Sequence, residues 1–365
     1  MAQSVTISDQ IRALSDEECL ERIKARKKQW GDRLLFLVHN YQRWEEILIA
    51  DEVGDSLELA RKGRDNQTAE NIVFCGVHFM AETSRILAGD HQKVFLPNHY
   101  AGCPMADMAE ESTVEEAWEE LCRVMQGTGE KFVPVTYVNS TAALKAFCGR
   151  HGGTCVTSSN AKKIFEKILP ENRIFFFPDE HLGRNSANSL DVPRDEQVLW
   201  DWTNPAEELG GLAEDQIRNS RVLLWKGYCH VHTHFSPLMI QEARKQYPGA
   251  VIIAHPECPE EVVAAADLAG STKLMADYIE EAPAGSTIIL ATEINHAKNL
   301  DNLHADKKVL GLSRSLCPNQ YKVNLRNILA TLEVMGTSDE ANEIHVPADT
   351  VREARIALER MLEMS

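Results

Sequence analysis

Three cysteines lie far apart in the chain, each just past a strand-like run. Cys103 stands in Ala-Gly-Cys-Pro-Met, Cys229 in Gly-Tyr-Cys-His-Val-His, and Cys317 in Leu-Cys-Pro-Asn. Three thiolates can hold three irons of a four-iron cluster and leave the fourth iron open as a Lewis acid. The pattern therefore indicates an iron–sulfur centre. Cys258, which directly follows His255-Pro256-Glu257, is the competing ligand.

A zinc site is an alternative use of one of the same segments. His230, His232 and His234 alternate in sequence, so on a strand they would share one face, with Cys229 adjacent. That interpretation leaves the other two cysteines without a function, so we favour the three-cysteine centre.

The elements that must position these residues alternate between strand and helix. Short apolar runs predict strands in three groups: Leu34–Val38, Ile72–Cys75 and Val94–Pro97; Phe132–Val138, Thr154–Thr157 and Ile174–Phe177; Val222–Trp225, Ala250–Ala254 and Thr287–Ala291. Helical patterns separate most of them, for example Glu45–Lys62, Val114–Gln126, Ala161–Leu169, Ser236–Gln246 and Glu260–Leu268. This order is typical of parallel α/β sheets and predicts three similar three-layer αβα domains.

We place the domain joints near 110–113 and near 204–209. The predicted domains are 1–112, 113–206 and 207–365. The amphipathic segment Ala348–Met364, which falls within the third range, is expected to be a helix that closes the structure.

Polar residues follow the predicted strands, where ligands bind in open parallel sheets. They include His39, Tyr41, His78, Cys103, Tyr137, Asn139, Ser158, Asp179, Cys229, His232, His255, Glu257 and Glu293, and the apolar Val138 and Pro256 lie within the same segments. Ser56, Ser158 and Thr272 each stand at a predicted helix start, one per domain. We expect them to be N-caps, whose free N–H groups favour a carboxylate or phosphate.

Composition excludes several classes of protein. The 365 residues are 44% hydrophobic and 25% charged, with no apolar run of membrane-spanning length and a polar N-terminal segment without a signal-peptide core. The formal charge of −17 argues against nucleic-acid binding. Nine cysteines without small-domain disulfide spacing indicate the reducing cytoplasm.

Taken together, the motifs resemble quinolinate synthase. The matching segments run in family order: His39-Asn40-Tyr41, Gly54-Asp55-Ser56-Leu57, 74–83, 101–108, 137–142, 156–161, 229–232, 255–258, 270–272, 292–293 and 317–319. Two departures are minor: Pro104 stands where Ser is common, and Ala291 where Gly is frequent. Neither removes a functional side chain.

The resemblance implies pseudo-threefold symmetry around a central active site and a [4Fe–4S] cluster on Cys103, Cys229 and Cys317. It also implies a transferase of NAD biosynthesis that condenses iminosuccinate with dihydroxyacetone phosphate to quinolinate, releasing phosphate and water. The unstable iminosuccinate could be channelled from an aspartate-oxidising enzyme.

The resemblance also implies roles for single residues. Glu257, Tyr41 and His39 are the candidate acids and bases. The substrate-binding candidates are His39, Ser56, Tyr137, Val138, Asn139, Ser158, His232, His255, Pro256, Glu257 and Thr272. The apolar strand before Glu257 is expected to raise the pKa of its carboxyl. Two alternatives are a related [4Fe–4S] hydro-lyase on another small dicarboxylate and a non-catalytic iron–sulfur sensor.

Overall fold

The computed structural model describes residues 4–204, 206–337 and 341–365. The strands are β1 Leu34–His39, β2 Glu52–Gly54, β3 Asn71–Cys75, β4 Lys93–Phe95, β5 Phe132–Tyr137, β6 Thr154–Val156, β7 Arg173–Phe177, β8 Gln197–Trp200, β9 Val222–Trp225, β10 Val251–Ala254, β11 Leu268–Ala269, β12 Thr287–Ala291 and β13 Lys308–Gly311. The α-helices are α1 Asp9–Arg12, α2 Asp16–Trp30, α3 Trp44–Ile47, α4 Ser56–Asp65, α5 His78–Leu87, α6 Glu111–Met125, α7 Ala142–Arg150, α8 Ala161–Ile168, α9 Glu180–Asn188, α10 Glu214–Asn219, α11 Pro237–Gln246, α12 Glu260–Ala265, α13 Thr272–Glu281, α14 Ile294–Leu303, α15 Leu325–Val334 and α16 Ala348–Met364.

These strands form three sheets in which all the named pairs are parallel. The first sheet has the order β2-β1-β3-β4, the second β6-β5-β7-β9-β8, and the third β11-β10-β12-β13. Inner strands such as β1 and β3 are buried along their whole length, because helices cover parallel sheets on both faces. The predicted α/β class with parallel sheets is confirmed.

The chain divides into two compact units. The first comprises Met1–Cys103, Glu293–Leu303 and Leu316–Pro347 and holds the first sheet. The second comprises Pro104–Thr292, His304–Ser315 and Ala348–Ser365 and holds the other two sheets. The three-domain bounds and the pseudo-threefold arrangement stay predictions. No helix of the described residues is long and apolar enough to cross a membrane.

One strand was grouped wrongly from the sequence. We predicted that Val222–Trp225 opens the third group, but this strand, β9, lies in the second sheet between β7 and β8. Val222 is in register with Ile174 on one side and Gln197 on the other. An apolar run indicates a buried strand but does not indicate which strand it pairs with. In addition, β8, which is one of the two partners of β9, was not predicted from the sequence.

The C-terminal helix also packs elsewhere than expected. We assigned 348–364 to the third domain, but α16 packs on α7, beside β6 of the second sheet. Thr154 of β6 donates to the carbonyl oxygen of Ala357. A Cβ atom added at Gly149 of α7 would lie 2.0 Å from the carbonyl oxygen of Glu353. The two helices can therefore approach this closely only because position 149 has no side chain.

The continuous helix predicted for 45–62 was wrong. Helix α3 ends at Ile47, β2 follows, and α4 begins at Ser56. Asp51 causes the break: its backbone N–H donates to the carbonyl oxygen of Phe36 in β1, and its carboxylate accepts from the Phe36 N–H. These bonds draw the chain alongside β1, where a helix cannot continue.

Candidate active site

A buried carboxylate lies at the centre of a polar cluster in the second unit. Glu257 is 3% exposed and accepts a hydrogen bond from the Tyr137 hydroxyl at 2.6 Å. Its other oxygen lies 3.0 Å from Nδ1 of His232. Nε2 of His232 is 3.2 Å from the Thr292 hydroxyl, and the rings of His232 and His255 stack with their centroids 4.4 Å apart. The cluster is therefore a continuous hydrogen-bonded network.

Strand ends supply these side chains from two sheets. Tyr137 is the last residue of β5, and His232 lies in the turn after β9; both strands belong to the second sheet. Glu257 follows β10 of the third sheet. The predicted grouping of polar residues at the carboxyl ends of strands is thus found for these three.

The charge state of Glu257 differs from our expectation. Burial raises the pKa of its carboxyl, but the electrostatic interactions with His232 and His255 and the hydrogen bonds with His232 and Tyr137 outweigh burial. They lower the pKa to about 2, so Glu257 is ionised at neutral pH. The predicted rise was wrong because the sequence shows the apolar strand behind Glu257 but not the donors in front of it.

Asp179 is a second buried carboxyl of this region. It caps α9: its Oδ1 accepts from the backbone N–H groups of His181 and Leu182, while Oδ2 has no partner among the described residues. Burial and the negative charge of Glu257 raise the pKa of Asp179 well above its usual range. The pKa values of two nearby carboxyls are therefore shifted in opposite directions.

Cys229 lies beside the same network. Its sulfur and one ligand atom from each of His232 and Glu257 all lie within 4.8 Å of one another. The alternating-strand zinc pattern is absent from the described segment, because Cys229–His234 is a turn closed by bonds from the His232 and Thr233 N–H groups to the Cys229 carbonyl oxygen. His232 is buried whereas His230 and His234 are exposed.

The remaining predicted substrate residues of this unit lie in loops or at helix starts. Val138 is buried, Asn139 and Ser158 are half-buried, and Thr272 is buried. A cavity of about 700 Å³ is lined in part by Ser158, Pro256 and Ser271. It therefore reaches the loop that carries Glu257.

None of the three residues that we predicted as N-caps is the N-cap of its helix. Ser56 and Thr272 are the first residues of α4 and α13, whose caps are Asp55 and Ser271. Ser158 lies in the turn before α8, whose cap is Asn160. Asp55 bonds the N–H groups of Leu57 and Glu58, because an aspartate caps at least as well as a serine.

In the first unit, His39 and Tyr41 form a second group of candidate residues. Nδ1 of His39 accepts from the backbone N–H of Tyr41 at 3.2 Å and lies 3.3 Å from Nε2 of Gln320. Because both contacts use Nδ1 as the acceptor, the ring proton of neutral His39 lies on Nε2. The ring of Tyr41 meets that of His39 edge-on at 4.8 Å. Ser56 is half-buried.

Glu293 is a further buried carboxyl to which the sequence gave no role. It accepts from the backbone N–H groups of Asn295 at 2.6 Å and Cys317 at 3.4 Å, and Asn295 also donates to the carbonyl oxygen of Tyr41. Burial raises the pKa of Glu293 to about 8, and the backbone donors offset part of that rise. Its place directly after β12 and Thr292 was the available signal.

The nine cysteines separate into two classes. Cys103, Cys229 and Cys317 lie on loops and are half-buried. Burial raises the thiol pKa of the others, which are Cys19, Cys75, Cys122, Cys148, Cys155 and Cys258. Cys258 packs in the apolar core of the third sheet, and its thiol donates to the carbonyl oxygen of Ala291. A raised pKa disfavours the thiolate that binds iron, so Cys258 is a poor competing ligand.

Comparison with known proteins gives a consistent result. Residues 21–363 match the family described as "NadA: Quinolinate synthetase A protein". The "Quinolinate synthase" of Lysinibacillus sphaericus (strain C3-41) is 45% identical over 365 residues, covering 99% of this chain and 98% of that protein. Proteins of the same name from Geobacillus sp. (strain WCH70) and Bacillus anthracis (strain A0248) are 45% and 44% identical, covering 97% and 96% of this chain and 95% and 94% of their own.

Proposed function

The chain belongs to the quinolinate synthetase A family, and we propose that it condenses iminosuccinate with dihydroxyacetone phosphate to quinolinate, releasing phosphate and water. Membership confirms the resemblance drawn from the motifs. The chain is therefore an enzyme of this family, with a function in NAD biosynthesis. The two substrates and the residue roles below belong to the proposal.

The observation that carries the proposal is the ionised Glu257 between Tyr137 and His232. Joining the two substrates requires removal of a proton from carbon, and later eliminations require further proton shifts. We assign the base to Glu257 because of its position: its carboxylate is ionised, shielded from water and central to the network. Its low pKa makes it a weak base, so the geometry and not the basicity supports the assignment. His232 and Tyr137 hold its two oxygens, so its geometry is fixed before the substrate binds.

We assign Tyr41 and His39 as further acids or bases. His39 would present Nε2–H as a donor, since its Nδ1 is already an acceptor. The substrate carboxylates and phosphate need donors, because a chain of charge −17 repels anions overall. The remaining proposed contacts are Ser56, Val138, Asn139, Ser158, His255, Pro256 and Thr272. Ser56 and Thr272 begin α4 and α13, where the helix dipole favours negative charge, although Asp55 and Ser271 already accept from some of the first N–H groups.

The donor set fits an iron–sulfur group on Cys103, Cys229 and Cys317. They are the cysteines that combine a loop position with partial exposure, whereas burial raises the thiol pKa of the other six. A [4Fe–4S] cluster on three cysteines supplies Lewis acidity at its open iron. The residues of this chain would supply the base, the orienting donors and the exclusion of water.

The proposed setting is the cytoplasm, because nine cysteines without small-domain disulfide spacing are typical of a reducing compartment. The high negative charge leaves no expected nucleic-acid partner. Iminosuccinate is unstable, so the proposal includes its direct transfer from an aspartate-oxidising enzyme.

The test is anaerobic purification followed by iron and sulfide analysis and product identification with both substrates. We expect quinolinate, phosphate and about four irons per chain. Cys103→Ala, Cys229→Ala and Cys317→Ala should each lose the iron, and Cys258→Ala should keep it. Loss of iron in Cys258→Ala with retention in one of the other three would contradict the ligand assignment.

Two outcomes would replace the proposed reaction. Turnover of a different dicarboxylate without quinolinate would indicate a [4Fe–4S] hydro-lyase. An intact cluster without turnover of these substrates would favour an iron–sulfur sensor.

A further inference from the structure

A buried asparagine outside the catalytic network binds the backbone on both sides of Glu257. Asn185 lies on α9 and is 9% exposed. Its Nδ2 donates to the carbonyl oxygens of Pro256 and Cys258, at 2.8 Å in both cases. One amide group thus uses both of its hydrogens on the residues directly before and after Glu257.

These two hydrogen bonds connect elements that belong to different sheets. Helix α9 follows β7, which pairs with β5, the strand that ends in Tyr137. The loop with Glu257 instead follows β10 of the third sheet. Asn185 therefore connects this loop to the layer that carries Tyr137. The hydrogen bond of 2.6 Å between the Tyr137 hydroxyl and the Glu257 carboxylate likewise joins the second and third sheets.

The loop also has local bonds of its own. The Cys258 N–H donates to the carbonyl oxygen of His255, the Glu257 N–H to Nδ1 of His255, and the His255 N–H to the carbonyl oxygen of Ala291. These bonds shape the loop within the third sheet. They do not fix it relative to Tyr137, so removing Asn185 should leave the loop folded but less accurately placed.

We propose that Asn185 is a positioning residue that holds the Glu257 backbone in register with Tyr137. The inference rests on the role proposed above for Glu257. Asn185 borders the same cavity as Ser158 and Pro256, but both of its amide hydrogens are used by the two carbonyl oxygens, so we expect it to affect the placement of the base more than the affinity for substrate. Misplacement of a catalytic group by about 1 Å costs on the order of 100-fold in rate.

Asn185→Asp and Asn185→Ala test the proposal. Asn185→Asp keeps the shape but replaces the donor with an oxygen that the two carbonyl oxygens repel. Asn188→Ala is the matched control: Asn188 is one turn further along α9, and its amide donates to the side chain of Glu260 at 3.1 Å. Steady-state quinolinate formation gives kcat and KM, and hydrogen exchange reports on the Glu257 and Cys258 amides.

We expect both Asn185 variants to lose about 100-fold in kcat with KM changed less than about threefold, and Asn188→Ala to keep both values. The Glu257 and Cys258 amides should exchange faster in the Asn185 variants alone. A kcat near that of the wild type, or a loss shared by Asn188→Ala, would overturn the proposal. A wild type that forms no quinolinate would refute the proposed function instead, and exchange unchanged by Asn185→Asp would then still overturn the positioning role.

Discussion

Removal of the Tyr137 hydroxyl tests whether this group works through Glu257. The bond is 2.6 Å long, and both residues are nearly inaccessible to water, so Tyr137→Phe leaves a buried carboxylate oxygen without its closest donor. A hydrogen bond to a charged group contributes about 1.5–3 kcal/mol. If that energy holds Glu257 in its reactive position, kcat/KM falls by about 10- to 150-fold.

The assay is anaerobic steady-state formation of quinolinate by wild type, Tyr137→Phe, Glu257→Gln and the double variant. In the Glu257→Gln variant, the Tyr137 hydroxyl bonds a neutral amide, and such a hydrogen bond contributes only about 0.5–1.5 kcal/mol. Adding Tyr137→Phe to that variant should therefore lower kcat/KM by about 10-fold or less. Tyr247→Phe is the control, because its hydroxyl meets only the exposed side chain of Gln246 among the described residues. An equal loss in both backgrounds would refute the reasoning and show that Tyr137 acts on the substrate directly.

Two further predictions concern stability. Burial raises the pKa of Glu46 to about 7 although Arg43 lies 2.7 Å away, so ionisation destabilises the folded wild type as pH rises from about 4.5 through about 7. Glu46→Gln should therefore raise Tm relative to wild type at about pH 8 but not at about pH 4.5, and an equal shift at both values would contradict this. Gly149→Ala places a Cβ atom 2.0 Å from the Glu353 carbonyl oxygen and should cost about 1–3 kcal/mol by displacing α16. Calorimetry measures the loss, and an unchanged Tm would count against the close helix contact.

The sequence predicted all the inner strands and two edge strands, β4 and β6, and missed the four other edge strands. Every predicted strand overlaps one that the structure describes, and two of them, Val222–Trp225 and Thr287–Ala291, have the same bounds. The strands it missed are β2, β8, β11 and β13, each at the edge of its sheet. A partly exposed edge strand needs no continuous apolar run. Both residues of the missed strand Leu268–Ala269 are exposed, whereas the predicted edge strand β6 is buried along its length.

Candidate site residues could be predicted in type and position along the chain but not in their hydrogen bonds. Ligands bind at the carboxyl ends of parallel strands, so Tyr137, His232 and Glu257, which follow strands of different predicted domains, were expected around one central site. Glu293 received no role, although it directly follows β12 and has backbone donors on two sides. Nothing in the sequence indicated a role for Asn185, because it lies within a helix. Its partners are backbone carbonyl oxygens, which every residue has, so the residue types of the loop could not identify them.

The protonation of Glu257 shows why such partners decide the chemistry. Ionising two nearby buried carboxyls is unfavourable because their negative charges repel each other. The carboxyl with the stronger hydrogen-bond donors therefore ionises first. Both oxygens of Glu257 have hydrogen-bond partners, the Tyr137 hydroxyl and the His232 imidazole, whereas Oδ2 of Asp179 has no partner among the described residues. The raised pKa of Asp179 is thus in part a consequence of the charge on Glu257. In the role proposed for Glu257, the ionised carboxylate would have to accept a proton from the substrate before it could donate one.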